Sequence, residues 1–351
     1  MPTFAIGDRK IGEGCEPFII AEAGINHNGD MELAKQMILA AKEAGADAVK
    51  FQTFNADEFI LDKTTTYTYK SQGKEVTEPM IDMFKRTEFS PEQWTEIAQY
   101  CRDNDVVFMS TPGNVSDLNM LLDIGVPAIK IGSDDFVNIP LIEEFSSHGI
   151  PLLLSCGMST EKEIENALNA AKAGQGNDVV LFLCTSQYPT PSEDINILKL
   201  KSISEKFPSV VSGLSDHSMG TTAAVMAVAL GARVFEKHFT LDNNLPGPDH
   251  WFSENPESLK GWIDAIRNAY VVLGNGELKP TAQEEEMKAM CRRSIRASVP
   301  IKAGDILTEE NLYMRRPGDG LDGSFWKDVI GKKAIRDFAQ GEVLNLIDLE
   351  K

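Results

Sequence analysis

Short apolar runs recur along the first three quarters of the chain, and amphipathic stretches separate them. The runs are PFIIAEAG (17–24), AVKFQTF (48–54), VVFMSTP (106–112), AIKIGS (128–133), PLLLSCG (151–157), VVLFLCT (179–185), VVSGLSD (210–216) and RVFEKHFT (233–240). Each is rich in Val, Ile, Leu or Phe, the pattern of parallel strands buried on both faces. Between them, Leu33, Met37, Ile38 and Ala41 form a helical stripe that starts near Asp30 and stops at Gly45. Thr160 and Glu163 have capping-box spacing ahead of a second stripe, and Asn255-Pro256 offers an N-cap followed by proline at the first helical position. Eight strand–helix alternations predict an α/β fold, a (β/α)8 TIM barrel over residues 1–274, with a doubly wound open sheet as the alternative. The stretch from Ala56 to about Phe89 shows little periodicity and reads as a flap over the end of the second strand.

The pattern changes after Gly274. An acidic stretch, TAQEEEMKAM, reads as a helical linker over 275–290. The remaining residues, 291–351, contain a weak internal repeat, PIKAGDILTEENL (300–312) against DFAQGEVLNLIDL (337–349), in which Gly304 matches Gly341 and Leu312 matches Leu349. A small pseudo-symmetric β-rich unit with glycine turns is expected, and sixty or so residues bury too little core to stand without docking.

Composition narrows the function. With 34 basic and 53 acidic residues the formal charge is −19, which argues against nucleic acid or an anionic membrane as partner but leaves room for an anionic substrate in a local basic pocket. The five cysteines are scattered and lack CxxC spacing, as expected of reduced thiols in a cytoplasmic protein. No run reaches the ~18 apolar residues of a membrane span, and the N-terminus lacks signal-peptide character.

Catalytic groups in a (β/α)8 barrel sit at the C-terminal ends of the strands. Here those ends carry Glu22, Lys50 and Gln52, Ser110-Thr111, Lys130 and Ser133, Ser155, Thr185, Ser215-Asp216-His217 and Glu236-Lys237-His238. His217 and His238 end neighbouring strands and can share a divalent metal with water or substrate oxygen completing its shell; a pair of acid–base histidines is the alternative. His27, after the first strand, is either a third member of that group or a loop hydrogen bonder. Lys50 and Lys130 stand among apolar strand residues, where a lysine is costly unless it meets an anion. With the strand-end hydroxyls they form a cradle for phosphate and carboxylate; the alternatives are a lysine paired with Glu236 or a Schiff-base lysine.

The ordered motifs EAGINHNGD, VKFQT, MSTP, IKIGS, SCGM, CTSQYPTP, GLSDHSMG, EKHFTLD and PGPDH resemble those of the sialic acid synthase family, which includes N-acetylneuraminate, legionaminate and pseudaminate synthases. The C-terminal repeat resembles the antifreeze-like (SAF) domain that follows the barrel in that family. The resemblance implies a phosphoenolpyruvate-dependent transferase that condenses this substrate with an N-acetylmannosamine-type aldehyde to a nine-carbon 2-keto-3-deoxy acid, releasing phosphate. A legionaminate or pseudaminate synthase taking a diacetamido sugar, an enzyme taking a 6-phosphorylated sugar, and a non-catalytic sugar-binding homologue are the alternatives. By the same resemblance Lys50, Thr111, Lys130, Ser133, Ser155 and Ser215 would hold phosphoenolpyruvate. Glu22, Gln52, Tyr188 and Asp249 would serve the reacting centre and the sugar. His217 and His238 would hold Mn2+, with Mg2+ or Co2+ as alternatives. Arg316, in RRPGDG, would reach the active site of the partner in a domain-swapped homodimer. For a phosphosugar, Lys63 and Lys70 of the flap offer ambiguous support.

Overall fold

In the computed structural model, residues 2–349 are described, and the chain divides into two units, Met1–Gly274 and Asn275–Lys351. The first opens with a hairpin that the run pattern does not reveal, β1 (Thr3–Ile6) and β2 (Arg9–Gly12). Eight parallel strands then alternate with helices. β3 (Phe18–Gly24) leads to α1 (Met31–Ala44), which Asp30 caps by accepting from the amides of Glu32 and Leu33 and Gly45 ends in the left-handed conformation. After β4 (Ala48–Thr53) come a short α2 (Ala56–Phe59), a hairpin of β5 (Thr66–Ser71) and β6 (Lys74–Pro79), and α3 (Met80–Thr87). The flap is therefore largely regular. Its two exposed strands hide little apolar area, so strand periodicity never develops in the sequence.

The series continues with α4 (Pro91–Asp103), β7 (Val107–Pro112), α5 (Val115–Ile124), β8 (Ile129–Ile131), α6 (Ile139–Ser146), β9 (Leu152–Ser155) and α7 (Glu161–Ala170), the last begun by the Thr160/Glu163 capping box. It ends with β10 (Val179–Cys184), α8 (Ser192–Ile195), α9 (Lys199–Lys206), β11 (Val211–Ser215), α10 (Thr222–Ala229), β12 (Val234–His238) and α11 (Pro256–Leu273). The ladder runs β7-β4-β3-β12-β11-β10-β9-β8, and its two end strands pack side by side, which closes the ring as a TIM-type barrel.

Strand parity explains where the site lies. Outward residues such as Ile19, Ala21, Val49, Leu154 and Phe235 pack on the helices. Inward residues form a separate core near the strand starts: Phe18, Ile20, Ala48, Met109, Leu153, Val180, Phe182, Val211 and Val234, joined by Phe4, Ile6 and Ile11 of the β1–β2 hairpin. Continuing on the same parity, the inward series turns polar at Glu22, Lys50, Lys130, Ser155, Ser215, Glu236 and His238. One end of the barrel is thus plugged with hydrocarbon and the other is lined with functional groups.

The second unit contains α12 (Ala282–Cys291), β13 (Ser294–Ala297), β14 (Leu312–Arg315) and α13 (Trp326–Val329), around a core that includes Ile295, Ile301, Leu307, Phe338 and Leu344. Its hydrogen bonds repeat with the 37-residue offset that separates Gly304 from Gly341. Ile301 and Phe338 exchange backbone hydrogen bonds. Gly304 donates to the Ala334 carbonyl as Gly341 donates to that of Ala297. Asp305 accepts from the Lys302 amide and Glu342 from the Ala339 amide, each at 2.8 Å. Both glycines have φ near +90°, 91° and 86°, where a side chain would be strained.

Candidate active site

The polar barrel end opens into a cavity of about 630 Å³, lined among others by Glu22, Lys50, Gln52, Thr111, Lys130, Ser133, Ser155, Tyr188, Ser215, His217, Glu236 and His238. Asp249 lines an adjoining pocket of about 700 Å³, which shares Gln52, Tyr188 and His238 with the first. The candidate residues of the barrel are thus brought together. Arg316 belongs to the second unit, where it follows β14 and is exposed.

At the floor, Lys50 and Lys130 are both almost fully buried. The Lys50 ammonium lies 3.1 Å from Thr111 Oγ1, 2.5 Å from Glu22 Oε2 and 3.7 Å from Glu236 Oε2. Lys130 lies 3.7 Å from Glu236 Oε1, which also accepts from Ser215 Oγ at 2.9 Å. The pairing of a lysine with Glu236, one of the alternatives to an anion cradle, is therefore present. Ser155 Oγ is buried without a hydrogen-bond partner, and Glu236 Oε2 has only the Lys50 ammonium at 3.7 Å; such atoms are costly unless something else satisfies them.

The two carboxyls differ in charge. Burial raises the pKa of Glu22, with Lys50 opposing it and Glu236 adding to it. Burial also pushes Glu236 upward, but Lys130 and Lys50, with the Ser215 hydroxyl, outweigh it and hold Glu236 ionised. Gln52 Nε2 donates to Glu22 Oε1 at 3.3 Å. A carboxyl near neutrality beside one that stays charged is an arrangement suited to proton handling.

The His217 and His238 ring centroids are 5.3 Å apart. Tyr188 packs on His217 in a tilted contact, with ring centroids 4.1 Å apart and planes 31° off parallel, and meets His238 edge-on at 5.6 Å. His217 Nδ1 lies 2.8 Å from the Thr185 carbonyl, to which it can only donate, so Nε2 keeps its lone pair. His238 Nδ1 is buried without a hydrogen-bond partner, 3.8 Å from Asp249 Oδ2. Burial, reinforced by His217 and Lys50, lowers the His238 pKa well below the imidazole range. For His217, burial works the same way, but the contacts with Cys184 and Thr185 outweigh it and raise the pKa. Burial lifts Asp249 to about 6. Among the described residues no three His, Cys, Asp or Glu side chains gather as a metal cage. A cation held by this pair would have to take its remaining ligands from water or substrate.

His27 does not join this group. It is fully buried, stacked on Phe89 at 4.3 Å and edge-on to Trp94 at 6.0 Å, and its Nδ1 accepts from the Gly29 amide. Burial lowers its pKa to about 3.

Glu236 and the flap are the site features that strand-end reading undervalued. Inward parity between Ser215 and His238 was the available signal for Glu236. The long aperiodic stretch was the signal for the flap, and its Phe59, Tyr67 and Phe84 line both cavities. The β5–β6 hairpin is fastened to the 241–254 loop by Gln72 donating to the Asn244 carbonyl and Ser71 Oγ accepting from the Gly247 amide. Lys63 pairs with Asp57 at 2.6 Å and Lys70 lies over the Trp251 ring at 4.6 Å; neither is among the residues lining the adjoining pocket.

A family model described as the NeuB family matches residues 37–278, and a SAF domain model matches residues 292–350. The chain is 37% identical to the N,N'-diacetyllegionaminic acid synthase of Legionella pneumophila, covering 96% of each chain. It is 36% identical to a pseudaminic acid synthase of Campylobacter jejuni, covering 94% of this chain and 96% of the relative. The crystal structure of N-acetylneuraminic acid synthetase from Leptospira borgpetersenii superposes with a TM-score of 0.73 at 34% identity, covering 81% of this chain and 94% of that one.

Proposed function

The chain belongs to the NeuB family and carries a SAF domain, and from that membership we propose that it condenses phosphoenolpyruvate with an N-acyl mannosamine-type aldehyde and releases phosphate. It is a carbon–carbon bond-forming transferase of the sialic acid synthase type. The observation that carries the reading is one cavity with an anion cradle on its floor and a histidine pair on its wall.

Lys50, Lys130, Thr111, Ser133, Ser155 and Ser215 bind the phosphate and carboxylate of phosphoenolpyruvate, and buried lysines gain most from such an anion. Gln52 orients Glu22, and Tyr188 and Asp249 hold the sugar. Bond formation joins C3 of phosphoenolpyruvate to the aldehyde carbon, water adds at C2 and returns a proton to the Glu22 carboxylate left by alkoxide protonation, and cleavage of the C2–O bond expels phosphate, which carries off the proton of the C2 hydroxyl. Glu22, kept protonated toward neutral pH by burial, gives its proton to the nascent alkoxide, while ionised Glu236 stands between the two lysines. A divalent cation held by His217 and His238, Mn2+ with Mg2+ or Co2+ as alternatives, supplies Lewis acidity toward the aldehyde when bound. The mature enzyme is a cytoplasmic homodimer in which Arg316 serves the partner's site.

The adjoining pocket, taken as the sugar side, favours an unphosphorylated substrate. Its lining includes Ile25, Phe59, Ile60, Met80, Met83, Phe84, Trp251 and Phe252 with the carboxyls of Asp134 and Asp249, and among the described residues no lysine or arginine lines it. Apolar walls suit N-acyl methyl groups and a deoxy carbon, which supports a diacetamido sugar as the second reading. Phosphate release from phosphoenolpyruvate with Mn2+ and a panel of mono- and diacetamido sugars, free and 6-phosphorylated, tests both. Turnover confined to a phosphosugar overturns the pocket reading. Sugar binding without phosphate release from any of them identifies a non-catalytic homologue.

A further inference from the structure

Ser215 and Glu236 are paired across β11 and β12, and the residues after them alternate in direction. His217 and His238 face the cavity with Ser215 and Glu236. Asp216 and Lys237, one residue before each histidine, face the other way, toward α11. There they form a closed polar cluster. Asp216 accepts from the Ser218 amide at 2.9 Å, Ser218 Oγ at 2.6 Å, Trp262 Nε1 at 3.0 Å and Lys237 Nζ at 3.0 Å. Lys237 also donates to the Ser218 carbonyl and lies 3.7 Å from Glu254. The Asp216 and Lys237 side chains are only 2% and 3% exposed.

We infer that Asp216 and Lys237 are positioning residues that set the separation and aim of the His217 and His238 imidazoles for their shared cation. The inference rests on the metal reading of that pair. A buried ion pair is a poor source of stability, because desolvation offsets most of its attraction and apolar residues of the same shape often do as well. This one ties the ends of two neighbouring strands to each other and to a helix, at the positions that govern the histidine backbones. The neighbouring main chain is held as well: the Asp216 amide donates to the Glu236 carbonyl and the Glu254 amide to that of His238, each at 2.9 Å. Groups that orient metal-binding side chains commonly affect affinity by ~10–100-fold without touching the metal.

The test is binding of Mn2+ to the full chain, followed by the electron paramagnetic resonance signal of free Mn2+, beside thermal unfolding and the KM for phosphoenolpyruvate. The neutral pair Asp216→Asn/Lys237→Met is expected to fold, to bind Mn2+ about tenfold or more weakly, and to change its phosphoenolpyruvate KM less than its Mn2+ affinity, because only Ser215 of the phosphoenolpyruvate cradle shares a strand with the altered pair. Native Mn2+ affinity in the folded double variant overturns the inference and leaves the metal reading intact. Absence of Mn2+ binding by the unaltered chain overturns both. Should the double variant not fold, Trp262→Phe removes one of the four hydrogen bonds to Asp216 at full charge. Weaker Mn2+ binding is expected of it too, and unchanged binding is equally decisive against the inference.

Discussion

Glu22 and His238 are partners across β3 and β12, and burial acts on the two in opposite senses, holding the carboxyl protonated and the imidazole neutral. For Glu22→Gln, kcat is expected to fall about a hundredfold or more while phosphoenolpyruvate still binds, measured by steady-state kinetics and calorimetry. The same substitution has a stability signature. A carboxyl whose folded pKa is raised contributes stability at low pH that is lost as pH rises through the folded value. Wild type is therefore expected to lose stability between about pH 5 and 8 that Glu22→Gln keeps, as urea unfolding would reveal. His27 has the opposite sign. Folded, it resists protonation until about 3, whereas the unfolded chain takes up a proton near 6.5. Its contribution is complete above that value and falls by about 2 kcal/mol by pH 5. His27→Phe, which preserves stacking on Phe89, should flatten the acid limb of the stability profile; an unchanged limb would show that His27 is not its source. A histidine in a motif reads the same whether it faces a cavity or a core. The aromatic neighbours that decide between them, Phe89 and Trp94, lie more than sixty residues downstream.

At the scale of elements, the barrel strands and three helix starts were legible because each is written locally: unbroken apolar runs, Asp30, Thr160 with Glu163, Asn255-Pro256. The hairpins were not. β1 and β2 bury only a few side chains, and those gain their role from meeting strands spread along the whole barrel. Ile6 is fully buried in that plug, so Ile6→Ala is expected to cost about 2–4 kcal/mol in denaturant unfolding with little effect on KM. A smaller loss would mean that the plug is dispensable. Tight packing inside the ring shows in Gly213, whose added Cβ would lie 2.6 Å from Phe182 and 2.8 Å from the Val234 carbonyl. Gly213→Ala is expected to lower the melting temperature by several degrees.

The two units meet different physical requirements. The barrel closes around its own core, whereas the smaller unit doubles a short motif and shares hydrogen bonds between the halves. The proposed role of Arg316 makes the assembly testable. Arg316→Ala and His217→Ala chains, each inactive alone, should regain about a quarter of wild-type turnover when co-expressed, because half of the dimers then hold one complete site. No recovery would place the arginine in its own chain's site or outside the reaction.

Much about this protein was determined by sequence alone: its eight-fold alternation, the order of its motifs, the parity that makes strand ends polar, and the repeat marked by Gly304 and Gly341. These are one-dimensional properties, set by neighbours a few residues away. The tertiary structure decided which polar groups share one space and in what charge state. Closure of the ring brings Glu22 beside Lys50 and Glu236 between two lysines, excludes His27, and lays the flap against the 241–254 loop. Desolvation and long-range contact act through space, so these outcomes were absent from any local pattern.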